Sequence, residues 1–190
     1  MPNICSYAMQ VKGKSENVKE FIKMIQVNYA FDDNGNCYNP DTKEPVERHL
    51  WRVFDAYVDE DITTGDERKA SISGSCAWSV KSCMFEGFGT YQSQHSDGNG
   101  TTIPIESDRL QLTIEIFSEE CGMCFMEHYV VVDGVIIIDE CVDWEEYCTE
   151  DYETVEEMNE ECGTNFTQEQ FDEEDYISVG GMDWTFDQWS

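Results

Sequence analysis

Apolar and polar residues alternate with different periods along the chain, and the periods predict its elements. Residues 4–12 alternate, with Tyr7, Met9 and Val11 apolar, and read as a strand. Ser15 is placed to cap a helix in which Val18, Phe21, Ile22 and Ile25 recur at i, i+3, i+4 and i+7, with Lys19 and Lys23 on the wet side. Residues 50–58 predict a second strand, with Trp51, Val53, Asp55 and Tyr57 on one face and Leu50, Phe54 and Val58 on the other; residues 68–80 are again extended. The cleanest alternation is in residues 111–117, where Leu112, Ile114 and Ile116 oppose Gln111, Thr113 and Glu115. A turn near Cys121 leads into a strand over residues 123–132, and Asp133-Gly134 predicts a type I′ hairpin turn with residues 135–141 returning beside it.

Beyond residue 142 the period becomes helical. Tyr152, Val155, Met158 and Cys162 form a thin apolar stripe that Gly163 is placed to end. Thr167 and Gln170 make a capping box at the start of a second short helix, with Phe166 and Phe171 at staple positions. Trp184 and Phe186 alternate with Asp183, Thr185 and Asp187, which predicts an edge strand in the tail. These patterns divide the chain into an α+β domain over residues 1–142 and an acidic, mainly helical extension over 143–190, packed on it.

Between these elements lie loops. Asp32, Asn34 and Asn36 alternate as in a calcium loop, but the sixth and twelfth positions hold Cys37 and Lys43, so an Asx/Gly turn is expected. Residues 85–100 are rich in Gly, Ser and Gln, and Asp97-Gly98-Asn99-Gly100 marks a mobile loop.

Charge changes the picture most. Formal net charge is −30, and residues 110–190 carry 24 of the 41 carboxylates with no lysine or arginine among them. Such a chain repels nucleic acid and anionic membranes and attracts basic surfaces, the strongest of which are grooves built to hold nucleic acid. An aromatic content of 13% separates it from acidic disordered chains, which cannot bury enough apolar surface to fold. The odd count of nine cysteines and the lack of a basic and apolar leader predict reduced thiols in a cytoplasm, and no apolar run reaches membrane-spanning length.

Candidate chemistry is sparse. Cys121-Gly122-Met123-Cys124 is a lone CxxC with a strand after it, lacking both the second ligand pair of a zinc site and the helix start of a thiol oxidoreductase. Cys124 and His128, i and i+4 in a strand, would stand about 13 Å apart, too far for a dyad. His49, His95 and His128 fall in three different segments, and Gly87-Phe88-Gly89 lacks the lysine and third glycine of a phosphate loop. No catalytic residue, cofactor or metal ligand is therefore assigned.

Met1-Pro2-Asn3-Ile4-Cys5, Ala77-Trp78-Ser79, Gly122-Met123-Cys124-Phe125 and the run from Glu127 to Gly134 follow one another in an order that resembles the YubB-type ferredoxin-like domain family of phage and plasmid proteins. Ile4 departs from that family's Met-Pro-Asn-Trp-Cys pattern, and the acidic extension lies outside it. The resemblance implies a ferredoxin-like antiparallel sheet with helices on one face, and a mobile-element origin, but no reaction. Joined to the charge pattern, it leads to the expectation of a non-enzymatic phage or mobile-element inhibitor. Such a protein would mimic nucleic acid and block the basic groove of a host defence protein, as an anti-CRISPR or antirestriction factor. The partner-binding residues expected are Glu145, Glu146, Glu150, Asp151, Glu153, Glu156, Glu157, Glu160, Glu161, Asp172, Glu173, Glu174 and Asp175. Glu153, Glu157 and Glu161, four residues apart, would rise about 6 Å per step on a helix, of the order of the gap between phosphates. The other reading of the same residues is a non-catalytic protein-binding module whose acidity only confers solubility.

Overall fold

The computed structural model describes residues 3–86 and 100–186. The loop over 97–99, His95, Gly87-Phe88-Gly89, Asp187 and Trp189 therefore lie outside the described residues. Two compact units are present, Met1–Cys141 with Trp184–Ser190 and, separately, Val142–Asp183.

In the larger unit β1 (Ile4–Lys14) is the axis of the sheet, and its alternation is the predicted one, with Cys5, Tyr7, Met9 and Val11 all buried. It leads directly into α1 (Ser15–Ile25), where Lys14 rather than Ser15 is the N-cap. Ser15 is already the first helical residue, one position too late to cap, and its N–H donates to the Asp66 carbonyl at 2.8 Å. Val18, Phe21, Ile22 and Ile25 are buried as their spacing requires. Four two-residue strands, β2 (Ala30–Phe31), β3 (Cys37–Tyr38), β4 (His49–Leu50) and β7 (Gly100–Thr101), pin the connecting loops in the pairs β2–β3 and β4–β7. In the Asx turn the Asp32 carboxylate accepts the N–H groups of Asn34 and Asn36, both at 2.8 Å.

The strand expected over residues 50–58 breaks at Arg52, whose φ of 48° ends β4 and starts β5 (Val53–Thr64). β5 pairs with β6 (Glu67–Ala77) through two register shifts, one between Val53 and Asp55 and one between Val58 and Glu60. A bulge reverses side-chain alternation, which is why Val53, Ala56 and Val58 pack on the core while Tyr57 is exposed, contrary to the predicted faces. A π-helical turn (Lys81–Phe85) and α2 (Ile103–Leu110) follow; α2 has Pro104 in its first turn. Then come β8 (Thr113–Glu120), β9 (Phe125–Val132) and β10 (Val135–Cys148), with Asp133 at φ 46° and Gly134 at φ 82° making the hairpin turn that the dipeptide predicts.

β8 departs from its simple alternation. Leu112, Ile114 and Ile116 enter the core and Ser118 is buried on the same side, but Glu115 and Phe117 on the other side are buried too. His128 stacks on Phe117 at 4.1 Å with rings 5° from parallel, and Trp184 and Phe186 lie against the same ring at 6.3 and 5.1 Å. The tail residues expected to form an edge strand thus close the second face instead, and residues 181–186 contain no strand.

The expected ferredoxin-like plan with an acidic, mainly helical C-terminal subdomain is corrected. The protein is mostly sheet, 46% strand against 25% helix, with a seven-stranded antiparallel sheet in the order β11-β10-β9-β8-β1-β6-β5. The physical reason lies after Val142, where the acidic run was expected to be helical. β10 remains extended to Cys148, and β11 (Tyr176–Gly180) pairs with it from Trp144↔Gly180 to Cys148↔Tyr176. Trp144 and Ile177 are buried in that pair, so cross-strand packing outweighs the helix propensity of the glutamates.

Gly74 on β6 shows how tightly the larger unit is built. A Cβ there would stand 2.2 Å from the Asp55 carbonyl oxygen and 2.6 Å from the Tyr7 hydroxyl, which itself donates to that carbonyl at 2.9 Å. Neither neighbour is a flexible side-chain end, so Gly74→Ala must separate β5 from β6. The expected loss is about 2–3 kcal/mol in urea denaturation, and an unchanged midpoint would show that the strands part freely.

Candidate acidic interface

The unit Val142–Asp183 contains sixteen carboxylates and no lysine or arginine. Its order comes from hydrogen bonds. The Thr149 hydroxyl donates to the Glu174 and Asp175 carbonyls at 2.8 and 3.2 Å, and its N–H donates to Asp175 at 3.0 Å, joining the 3-10 turn (Thr149–Asp151) to the start of β11. The four acids at 172–175, unfavourable at the C-terminal end of a helix, are thus held through their backbone rather than their charges.

The helix α3 (Val155–Cys162) buries Val155 and Met158 and ends at Gly163 with φ 70°. Thr154 caps it, accepting the Glu157 N–H at 3.2 Å, and the Glu157 carboxylate in turn accepts the Glu153 N–H at 2.8 Å. The next helix, α4 (Gln168–Glu173), carries the expected Thr167–Gln170 capping box. Between the two helices, Asn159 accepts the Phe166 N–H at 2.7 Å and donates to the Phe166 carbonyl at 2.9 Å, pinning the connecting turn.

All thirteen expected partner-binding residues are exposed. Glu145 and Glu146 are on β10, Glu150 and Asp151 on the 3-10 turn, Asp172 and Glu173 on α4, and Glu174 and Asp175 just after it. Glu153, Glu156, Glu157, Glu160 and Glu161 line one surface concavity together with Thr154. The even ladder from Glu153 to Glu161 is corrected: Glu153 precedes the helix, so Glu156 with Glu160 and Glu157 with Glu161 are the pairs at i, i+4 spacing. Two carboxylates are partly committed, Glu157 to the cap and Glu145 to the Tyr147 hydroxyl, whose hydrogen bond pushes that phenol up to about 12. Neighbouring charges about 6 Å apart lie within a Debye length of about 8 Å, so they act on a partner as one negative surface.

Other carboxylates, which the sequence pattern did not single out, are buried in the larger unit. Glu127 accepts from the Val80 N–H and the Ser118 hydroxyl at 2.8 Å, the Tyr129 hydroxyl at 3.2 Å and the Lys81 N–H at 3.3 Å. Its signal was the cross-strand pairing of Ser118 with Glu127, visible only once the register is known. Burial pushes its carboxyl above the usual carboxylate range against those hydrogen bonds. A raised folded value means that its contribution to stability is complete below the ordinary unfolded value of about 4.3 and is lost as pH rises through the folded value. Thermal unfolding of the wild type should therefore fall relative to Glu127→Gln over that window and run parallel above it; a pH-independent difference would refute the reading.

His128, the histidine of the excluded dyad, donates from Nε2 to the Glu115 carboxylate at 3.0 Å. Cys124 contacts the Cys121 carbonyl at 3.3 Å on the turn, and partial burial followed by the Glu119 carboxylate pushes the Cys121 thiol up. Among the described residues no group of three or more His, Cys, Asp or Glu side chains is arranged to hold a metal ion, and no helix is long and apolar enough to cross a membrane. A cavity of about 400 Å³ between residues 25–29 and 52–56 is lined by Tyr29, Arg52 and Asp55 among mostly apolar neighbours. Comparison of the chain with family models, curated proteins and solved structures finds no match.

Proposed function

We propose that the protein is a phage or mobile-element inhibitor that blocks the basic nucleic-acid-binding groove of a host defence protein by presenting carboxylates in place of phosphates. The observation that carries this reading is the display of thirteen exposed carboxylates on an ordered unit that holds no base. Charge steering of this kind accelerates encounter and weakens with salt. The concave Glu153–Glu161 surface offers a lysine- or arginine-lined groove several acceptors at once, at spacings comparable to those along a phosphate backbone. An anti-CRISPR or antirestriction target fits this chemistry, because such nucleoproteins expose extended basic channels.

Competition tests the proposal. Proteins captured from host lysate on the immobilised chain at low salt should be released by added double-stranded DNA and by about 0.5 M salt. Capture that neither DNA nor salt reverses would favour instead a protein-binding module whose acidity serves only solubility.

A further inference from the structure

Every strand of the seven-stranded sheet is flanked on both sides except at its margins, and the two margins differ in how they are protected. At one margin β5 carries two register shifts and the run Asp59, Glu60 and Asp61, both of which discourage a further strand from pairing. The other side of the sheet is different. β10 follows β9 in the sheet, but β11 reaches only its last five residues, Trp144 to Cys148. Among the described residues, no strand pairs with the stretch from Val135 to Glu140 on the side away from β9. Alternate residues of such a stretch turn their N–H and C=O groups outward.

The side chains of this stretch are also unusual. Val135, Ile136 and Ile137 are 62%, 42% and 54% exposed, three consecutive large apolar residues reaching solvent on both faces of the strand. Directly after them come Asp139 and Glu140, whose side chains are 50% and 64% exposed. Asp139 stands 3.8 Å from the Lys81 ammonium and Glu140 3.7 Å from a ring nitrogen of His128, and both keep most of their acceptor capacity outward.

We infer that this edge takes up an extended, basic and apolar segment of another polypeptide as an additional strand. Its apolar side chains would lie beside Val135, Ile136 and Ile137, and its lysines or arginines beside Asp139 and Glu140. Charge selects that occupant over a second copy of this chain. Two copies paired edge to edge would set Asp139 and Glu140 against apolar Ile136 and Val135 and would join molecules that each carry −30. A cationic strand relieves the same repulsion while main-chain hydrogen bonds supply the pairing. The edge lies outside the acidic unit, so the inference holds or fails independently of the nucleic-acid mimicry.

The probe is a fluorophore-labelled peptide of about nine alternating valines and lysines, titrated by anisotropy at about 0.3 M salt to suppress loose attraction. It should bind, and N-methylation of alternate peptide nitrogens should weaken it about tenfold or more, because it removes strand hydrogen bonds and leaves charge unchanged. Val135→Lys with Ile137→Lys should weaken it comparably, with near-ultraviolet circular dichroism confirming the fold. Lysine at Glu156, Glu160 and Glu161 should change it by less than about twofold. Equal binding of the N-methylated peptide, loss of binding on reversing the α3 charges, no binding at all, or sedimentation of the free chain as a dimer that the paired lysine variant abolishes would each overturn the inference. The first comparison uses the unaltered chain and stands even if the variant fails to fold.

Discussion

Glu156→Lys, Glu160→Lys and Glu161→Lys together are expected to abolish capture of the basic partner while leaving the chain folded. The three side chains are exposed on α3 and lie in the concavity with Glu153 and Glu157. Glu157 is left in place, because its carboxylate accepts the Glu153 N–H and its own N–H is held by Thr154, so changing it would uncap the helix as well as alter charge. Reversing three charges replaces attraction by repulsion at each position, and at about 1 kcal/mol or more per close pair the expected weakening is at least about 100-fold. A control with the same change in net charge, Asp33→Lys, Glu44→Lys and Glu60→Lys, alters exposed carboxylates of the larger unit. Mimicry requires that the control retain nearly full capture. Equal loss in both variants would mean that net charge alone attracts the partner, and undiminished capture by the α3 variant would end the proposal.

The parts of this surface that sequence could reveal are those fixed by local chemistry. The Thr167–Gln170 capping box, Gly163 as helix stop and the Asp133-Gly134 turn all depend on residues within a few positions of each other, and all three are present. What stayed hidden depends on distant partners. Nothing local separates an extended Glu145-Glu146-Tyr147-Cys148 from a helical one; β11, thirty residues further on, decides it by pairing. The faces of β5 were misassigned because bulges answer to the register with β6 rather than to the strand's own pattern. Trp184 and Phe186 do alternate with polar residues, as an edge strand would, but the ring of Phe117 on the second face of the sheet offers them more apolar contact than a sheet edge does. Exposure of the thirteen carboxylates was the most legible feature of the candidate site, because a chain segment without bases has no means of burying them as ion pairs.

Glu106→Ala is expected to cost the larger unit about 3 kcal/mol, lowering its melting temperature by roughly 6–12 °C. Glu106 sits on α2, the helix that residue periodicity did not predict because eight residues beginning Ile103-Pro104-Ile105 complete barely two turns. The side chain is fully buried, yet it is the meeting point of four donors. Arg48 donates to one oxygen at 2.8 Å and the Thr101 hydroxyl to the same oxygen at 2.6 Å, while two nitrogens of Arg109 reach the other at 2.8 and 2.6 Å. Through Arg109 the network continues to Glu20 on α1, so one carboxylate ties α2 to β7, to the loop before β4 and to the first helix. Removing it strands a buried hydroxyl and two guanidinium groups that are half in solvent, and that partial exposure keeps the cost below the upper end of the range for buried ion pairs. Glu106→Gln keeps an acceptor for Thr101 but gives up the charge, so it should fall between wild type and alanine. Because the carboxylate is shielded from solvent, neither deficit should shrink much at about 0.5 M salt. Equal stability of the glutamine and alanine variants would assign the effect to charge alone. A wild-type melting temperature in Glu106→Ala would show that the arginines find water as good a partner as the buried carboxylate.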